Sequence, residues 1–130
     1  MADRKLVKKL DTVFSQFIRL RDSKSGVFKC CSCNQIKPYT SADCGHFINR
    51  RWMATRFRED NCHAQCSACN RFDEGNAVGY TLFMINKYGL SHVEYLNVIK
   101  NSGYKYTDFE LEMLIKEYKE KLRCLKKTAS

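Results

Sequence analysis

The sequence predicts a mainly helical α+β fold whose centre is braced by a metal and not by an apolar core. Three observations carry that reading. Near both ends of the 130-residue chain, apolar residues recur at helical spacing. From Val27 to about Asn76 no helical period persists, and the only proline, Pro38, lies there among Cys, Asn and Gly. Two C-x-x-C pairs, Cys30–Cys33 and Cys66–Cys69, stand inside that stretch, about thirty residues apart. The length suits a single domain, 1–130, with one core.

The first element, within 1–22, is an amphipathic helix from Asp3 to Asp22 with Leu6, Leu10, Val13, Phe14, Phe17 and Ile18 on one stripe. Lys5, Lys8, Lys9, Arg19 and Arg21 fall largely off that stripe, as a solvated basic face or a DNA-facing one. Ser23–Gly26 ends it. The centre, 27–76, holds short extended stretches at Ala42–Ile48 and Asn61–Gln65, with too little apolar surface to fold unaided. A bound metal would supply that folding energy. The helical part, 74–127, begins with Glu74–Tyr88, where Val78, Leu82, Phe83 and Ile85 are expected to face inward and Gly89 to stop the helix. Ser91–Glu94 reads as a capping box for a short helix to Lys100. Thr107–Glu110 reads as another, opening a long helix to near Lys127 with Leu111, Leu114, Tyr118, Leu122 and Leu125 inward.

Twenty-three basic against fourteen acidic residues give a net charge of +9, which favours nucleic acid as partner over a membrane surface. No apolar run reaches the roughly 18 residues of a membrane span. Met1–Lys5 is charged, with no signal-peptide core behind it. A cytoplasmic protein is expected, neither secreted nor membrane-bound. In a reducing compartment the eight cysteines read as metal ligands and plain thiols, not disulfides. Cys30, Cys33, Cys66 and Cys69 make a four-thiolate zinc site, with Cys31 the alternative to Cys30. Four protein ligands leave no position for water, so that zinc is structural. Cys44, Cys62 and Cys124 read as ordinary buried thiols.

The residues beside the pairs add chemistry. Asp43–Ile48 reads D-C-G-H-F-I, and Asn61–Asn70 reads N-C-H-A-Q-C-S-A-C-N, with Cys66 five positions after Asn61. These segments resemble the HNH (ββα-metal) nucleases. The resemblance is narrower to the phage lambda NinG/Rap recombination nucleases, through Phe17–Asp22, Gly45–Phe47, Thr55–Phe57, His63–Cys66, Cys69–Asn70 and Gly75–Asn76. It covers about residues 10–80, and family members can be longer than this chain. It implies a zinc-braced ββα-metal centre flanked by helices, and a metal-dependent endonuclease. The implied DNA substrates are branched recombination intermediates, Holliday junctions and D-loops, met in the host cytoplasm of a phage.

In that frame His46 is the general base, and Asn61 braces the loop carrying it. Asn70, at the start of the helix after the knuckle, offers its amide oxygen to a catalytic Mg²⁺ or Mn²⁺. The family often has an acidic or His ligand directly before the base, where this chain has Gly45. A bend at Gly45 would let Asp43 complete the metal site, with His63 as the substitute. Arg50, Arg51, Arg56 and Arg58 lie between His46 and Asn61, suited to phosphates; Arg50 and Arg56 are favoured as contacts. Against contact stands pairing with Glu59 or Asp60, and core roles for Trp52 and Phe57. A homodimer would suit symmetric cutting of a four-way junction. The alternatives are a restriction- or packaging-type HNH nuclease on duplex DNA, and a non-catalytic zinc-ribbon DNA-binding module.

Overall fold

A computed structural model describes residues 2–72 and 76–128. Helix α1 (Arg4–Arg21) is capped by Asp3, whose carboxylate accepts from the Lys5 amide at 2.8 Å. Its expected stripe is buried from Leu10 to Ile18, with Leu6 half-buried. Three short antiparallel strands follow, β1 (Ser23–Lys24), β2 (Val27–Lys29) and β3 (Ile36–Pro38), in the order β1-β2-β3. The hairpin from β2 to β3 carries the first cysteine pair in its turn. Asn34 there has φ +66°, a left-handed conformation that asparagine tolerates.

Strand β4 (Ala42–His46) and strand β5 (Cys62–Cys66) pair antiparallel in a separate hairpin, with Gly45 opposite His63 and His46 opposite Cys62. Between them runs a loop with one helical turn, α2 (Met53–Arg56). After β5 the chain forms a π-helical turn, Ala68–Phe72. Helices α3 (Ala77–Tyr88), α4 (Leu90–Lys100) and α5 (Asp108–Thr128) complete the molecule. No helix among the described residues is long and apolar enough to cross a membrane.

Helices α1 and α5 run side by side in the same direction. The Asp3 amide bonds the Asp108 carboxylate at 2.9 Å at their starts, and Leu20 and Leu125 join the same cluster near their ends. Their apolar faces make the main core, and Phe57 and Cys62 from the centre insert into it. Phe14 meets Tyr118 and Phe57 edge-on, with ring centroids 4.9 and 5.8 Å apart. A second small core surrounds the cysteine pairs, with Phe28, Ala42 and Ala64. A third joins α3 and α4 to the hairpin through Ile48, Tyr80, Met84, Val93 and Leu96. The expectation of a single core is therefore replaced by three, one of them built around the four cysteines themselves.

Two expectations for the helical part need correction. Of the residues expected inward on α3, Val78 and Leu82 are 75% and 64% exposed and Ile85 is exposed too; Tyr80 and Met84 are buried, with Phe83 half-buried. The Tyr80 hydroxyl reaches the Gly45 carbonyl at 2.7 Å, and that buried hydrogen bond sets the rotation of the helix. Gly79 permits the approach, since a Cβ there would lie 2.2 Å from the Ser32 carbonyl oxygen. Glu74 and Gly75 lie outside the described residues. Ser91 does not cap α4: the helix starts at Leu90 directly after Gly89, whose φ of +94° joins it to α3. The box at α5 is formed, with Glu110 N–H to Thr107 Oγ1 and Thr107 N–H to Glu110 Oε1 both at 3.1 Å.

Candidate metal centre and polar pocket

The two knuckles bring the sulfurs of Cys30, Cys33, Cys66 and Cys69 within 4.8 Å of one another. Tetrahedral zinc with Zn–S bonds of about 2.3 Å separates its sulfurs by about 3.8 Å. The Cys33–Cys66 distance is 3.8 Å, so the cluster could hold a metal ion such as zinc. Burial would raise the Cys30 thiol, but the Cys66 amide, 3.3 Å from its sulfur, and the amides of Cys33 and Ser32 bring it down to about 7. Burial pushes Cys69 up to about 12, although the Asn76 amide donates to its sulfur at 3.4 Å. Cys31 is outside the cluster. It lies in the third core beside Ile48, Tyr80 and Met84, where burial drives its thiol far up, and Cys30 is the one that stands in the cluster.

On the other side of β4 a polar pocket of about 520 Å³ opens between α1 and the π-helical turn. Asp11, Phe14 and Ser15 come from α1, Asp43, Cys44 and His46 from β4, Asn49 and Arg50 from the loop, and Asn70 and Arg71 from the turn. The pocket thus collects His46, Asp43, Asn70 and Arg50. His46 Nε2 lies 3.0 Å from the Arg56 carbonyl oxygen, which can only accept. In the neutral ring the proton is therefore on Nε2 and the lone pair on Nδ1. Burial lowers the His46 pKa below its ordinary value, and the carbonyl bond opposes this only in part. Burial thus favours the neutral form of the ring.

Asn61 is fully buried away from the pocket. Its Oδ1 accepts from the Ile48 amide at 2.9 Å, and its Nδ2 donates to the carbonyls of Ile48 and Thr55 at 3.2 and 3.1 Å. It ties the loop to the hairpin. Asn70 Nδ2 donates to Asp43 Oδ2 at 3.1 Å, and the Arg71 fork spans both Asp43 oxygens at 3.1 and 3.2 Å. Asn70 sits inside the π-helical turn, not at the start of helix α3, whose cap is Asn76. Nor is there a bend at Gly45: β4 pairs with β5 along its whole length, and Asp43 lines the pocket from a regular strand. A Cβ at Gly45 would lie 2.2 Å from Gln65 Oε1, and this packing demands glycine.

His63 does not join them. Its Nδ1 and Nε2 meet the hydroxyls of Tyr80 and Tyr88 at 3.1 and 2.8 Å, so both ring nitrogens are taken. The arginines divide in two. Arg56 forks Asp11 on α1 and bonds the Arg50 carbonyl, so it is a structural tie rather than a free phosphate contact. Arg58 is held by Asp60 at 2.9–3.0 Å. Arg50 and Arg51 are exposed, Arg51 lying over the Trp52 ring.

Four participants escape the sequence reading. Asp11 lies far in sequence from the cysteine frame, and only the packing of α1 against β4 delivers it; Arg71, two positions after Cys69, is set against Asp43 by the turn. Cys44 and Cys62 stand with His46 in a second group whose donor atoms lie within 4.8 Å of one another. The spacing Cys44-x-His46 was the available signal, since alternate residues share a strand face. Cys124, expected to be buried, is exposed.

A family model described as Bacteriophage Lambda NinG protein matches residues 2–128. Protein NinG of Salmonella phage P22 is 32% identical over 127 residues, 95% of this chain and 59% of that protein. The NinG proteins of Escherichia phages lambda and 933W are each 33% identical over 127 residues, 95% of this chain and 59% and 60% of theirs. The chain thus spans about 60% of the length of these curated relatives. No solved structure matches it. The match runs through both cysteine knuckles, the β4–β5 hairpin and the helices around them, and the chain belongs to the NinG family.

Proposed function

We propose that this chain is a metal-dependent DNA endonuclease of the HNH (ββα-metal) type, with zinc on the four cysteines bracing its site and branched recombination intermediates as substrates. One observation carries the reading: an imidazole, a carboxylate and an amide share one polar pocket with two arginines. His46 accepts a proton from the attacking water at Nδ1, while the Arg56 carbonyl holds the Nε2 proton and orients the ring. The imidazolium formed then donates to that carbonyl as a charge-assisted bond. Asp43 and the amide oxygen of Asn70 are the groups that would hold Mg²⁺ or Mn²⁺, and Arg71, whose side chain is 64% exposed, must leave the carboxylate for that to happen. When bound, that ion supplies positive charge for the scissile phosphate and the leaving oxygen. Arg50 lies at the rim to meet a flanking phosphate, and Asn61 keeps the loop in place.

The test offers duplex, single-stranded, forked and four-way DNA with Mg²⁺ or Mn²⁺ and maps the cuts. Cleavage strongest on the branched substrates is expected, and His46→Ala should lower it by roughly 10²–10⁴ while folding and DNA binding persist. Wild-type rates in a folded His46→Ala protein would end the assignment. Binding without any cutting by the wild-type would support the zinc-ribbon DNA-binding module instead.

A further inference from the structure

We infer that Cys44, His46 and Cys62 form a second metal site, an exchangeable one for zinc or another thiophilic ion, whose occupation silences His46. The inhibitory half of this rests on the nuclease reading above; the site itself does not.

The geometry comes from the strand register. Cys44 and His46 alternate on β4 and so share a face, and His46 is paired with Cys62 on β5. The two sulfurs and an imidazole nitrogen lie within 4.8 Å of one another. A fourth donor is already there: the Arg56 carbonyl oxygen is 3.0 Å from His46 Nε2 and 3.6 Å from Cys62 Sγ. Two thiolates, one imidazole and an oxygen are a donor set that tetrahedral zinc accepts. Its charge also fits the location. Zn²⁺ with two thiolates and a neutral imidazole sums to zero, which suits a site whose Cys62 is fully buried. Access is from the polar pocket, because Cys44 and His46 both line it. The four-cysteine cluster differs on each point: it has four thiolates and no opening to that pocket.

Binding exchanges two thiol protons for the ion and uses the one lone pair a neutral imidazole possesses. With the Arg56 oxygen as the fourth donor the ion takes Nε2, and the ring proton moves to Nδ1. His46 can then no longer accept a proton from water, so metal supply would set the fraction of competent protein.

The experiment uses the zinc-loaded chain, kept reduced with a phosphine, and titrates zinc by chelator competition. The wild-type should take up two zinc ions per chain, one held more weakly, and Cys44→Ala and His46→Ala should each take up one. Cobalt(II) added to protein carrying one zinc should give a thiolate-to-cobalt absorption band in the wild-type and none in either variant. Uptake of a single zinc by the wild-type, or of two by both variants, would overturn the site. Because Cys62 is in the core, Cys44 and His46 are the positions changed, with circular dichroism to verify folding. In the cleavage assay the second zinc should lower wild-type rate by roughly 10²–10⁴, while Cys44→Ala stays within about twofold of its own rate before zinc is added. Equal inhibition of Cys44→Ala would overturn the silencing. If the wild-type cuts no DNA, the nuclease reading and the silencing fall together, and stoichiometry and the cobalt band still decide the site.

Discussion

Arg50 and Arg56 show how two neighbours of the same type acquire different work. Arg50 is exposed at the rim of the polar pocket, whereas the Arg56 guanidinium is clamped on Asp11 with only 16% of its side chain exposed. Arg50→Ala should reduce the slope of log affinity for DNA against log salt by about one charge, with stability unchanged. Arg56→Ala should leave that slope alone and cost about 1–2 kcal/mol, because it strips a half-buried carboxylate of its partner. Filter binding across salt concentrations and urea unfolding separate the two; a slope change in Arg56→Ala would put this arginine back on the phosphates. His46 shows the same dependence on surroundings. The residue type suggested a base, but the Arg56 carbonyl sets its proton and burial favours its neutral form.

At the scale of elements, the β4–β5 hairpin separates two chemistries. His46 looks onto the polar pocket, while His63 is inserted among Tyr80, Phe83 and Tyr88, with ring centroids 4.8 to 5.9 Å away. Burial pushes the His63 pKa down to about 4. A free histidine titrates near 6.5. Between those pH values the unfolded chain binds a proton that the folded chain refuses, so stability rises with pH through this window. It is complete above about pH 6.5 and falls by roughly 3 kcal/mol as pH drops towards 4. Urea unfolding at pH 7 and pH 4.5 should show the loss, and His63→Gln should flatten it. An unchanged pH profile in that variant would assign the acid sensitivity to other groups.

Across the whole molecule, α5 acts as a buttress. It lines no part of the polar pocket, yet Leu111, Ile115, Tyr118 and Leu122 face α1 in the main core, and α1 in turn contributes Asp11, Phe14 and Ser15 to the pocket. The Tyr118 hydroxyl and Lys121 ammonium also hold Glu59 at 2.8 and 3.0 Å, just before β5. Leu111 is fully buried, so Leu111→Ala should cost about 2–5 kcal/mol while leaving the content of tightly held zinc unchanged in the folded protein. Chemical denaturation with metal analysis checks this. A cost below about 1 kcal/mol would mean that α5 packs loosely on α1.

The amphipathic period of α1 and α5, the Thr107–Glu110 cap and the two C-x-x-C knuckles were all legible in the sequence. Each depends on residues a few positions apart, or on ligand chemistry that tolerates little variation. His46, Asp43 and Asn70 could be picked out as one constellation through the resemblance to the HNH nucleases; the first two lie on β4 and Asn70 in the turn after β5. Only tertiary structure decided which face of α3 is buried, because Tyr80 finds its partner on Gly45, which no period within the helix encodes. It likewise decided which arginines are free, since Asp11 reaches Arg56 from 45 positions away. The pairing of Cys44 and His46 with Cys62 belongs to the same class. Local spacing writes helices and knuckles into a chain, whereas contacts between distant segments exist only once the cores that carry them have closed.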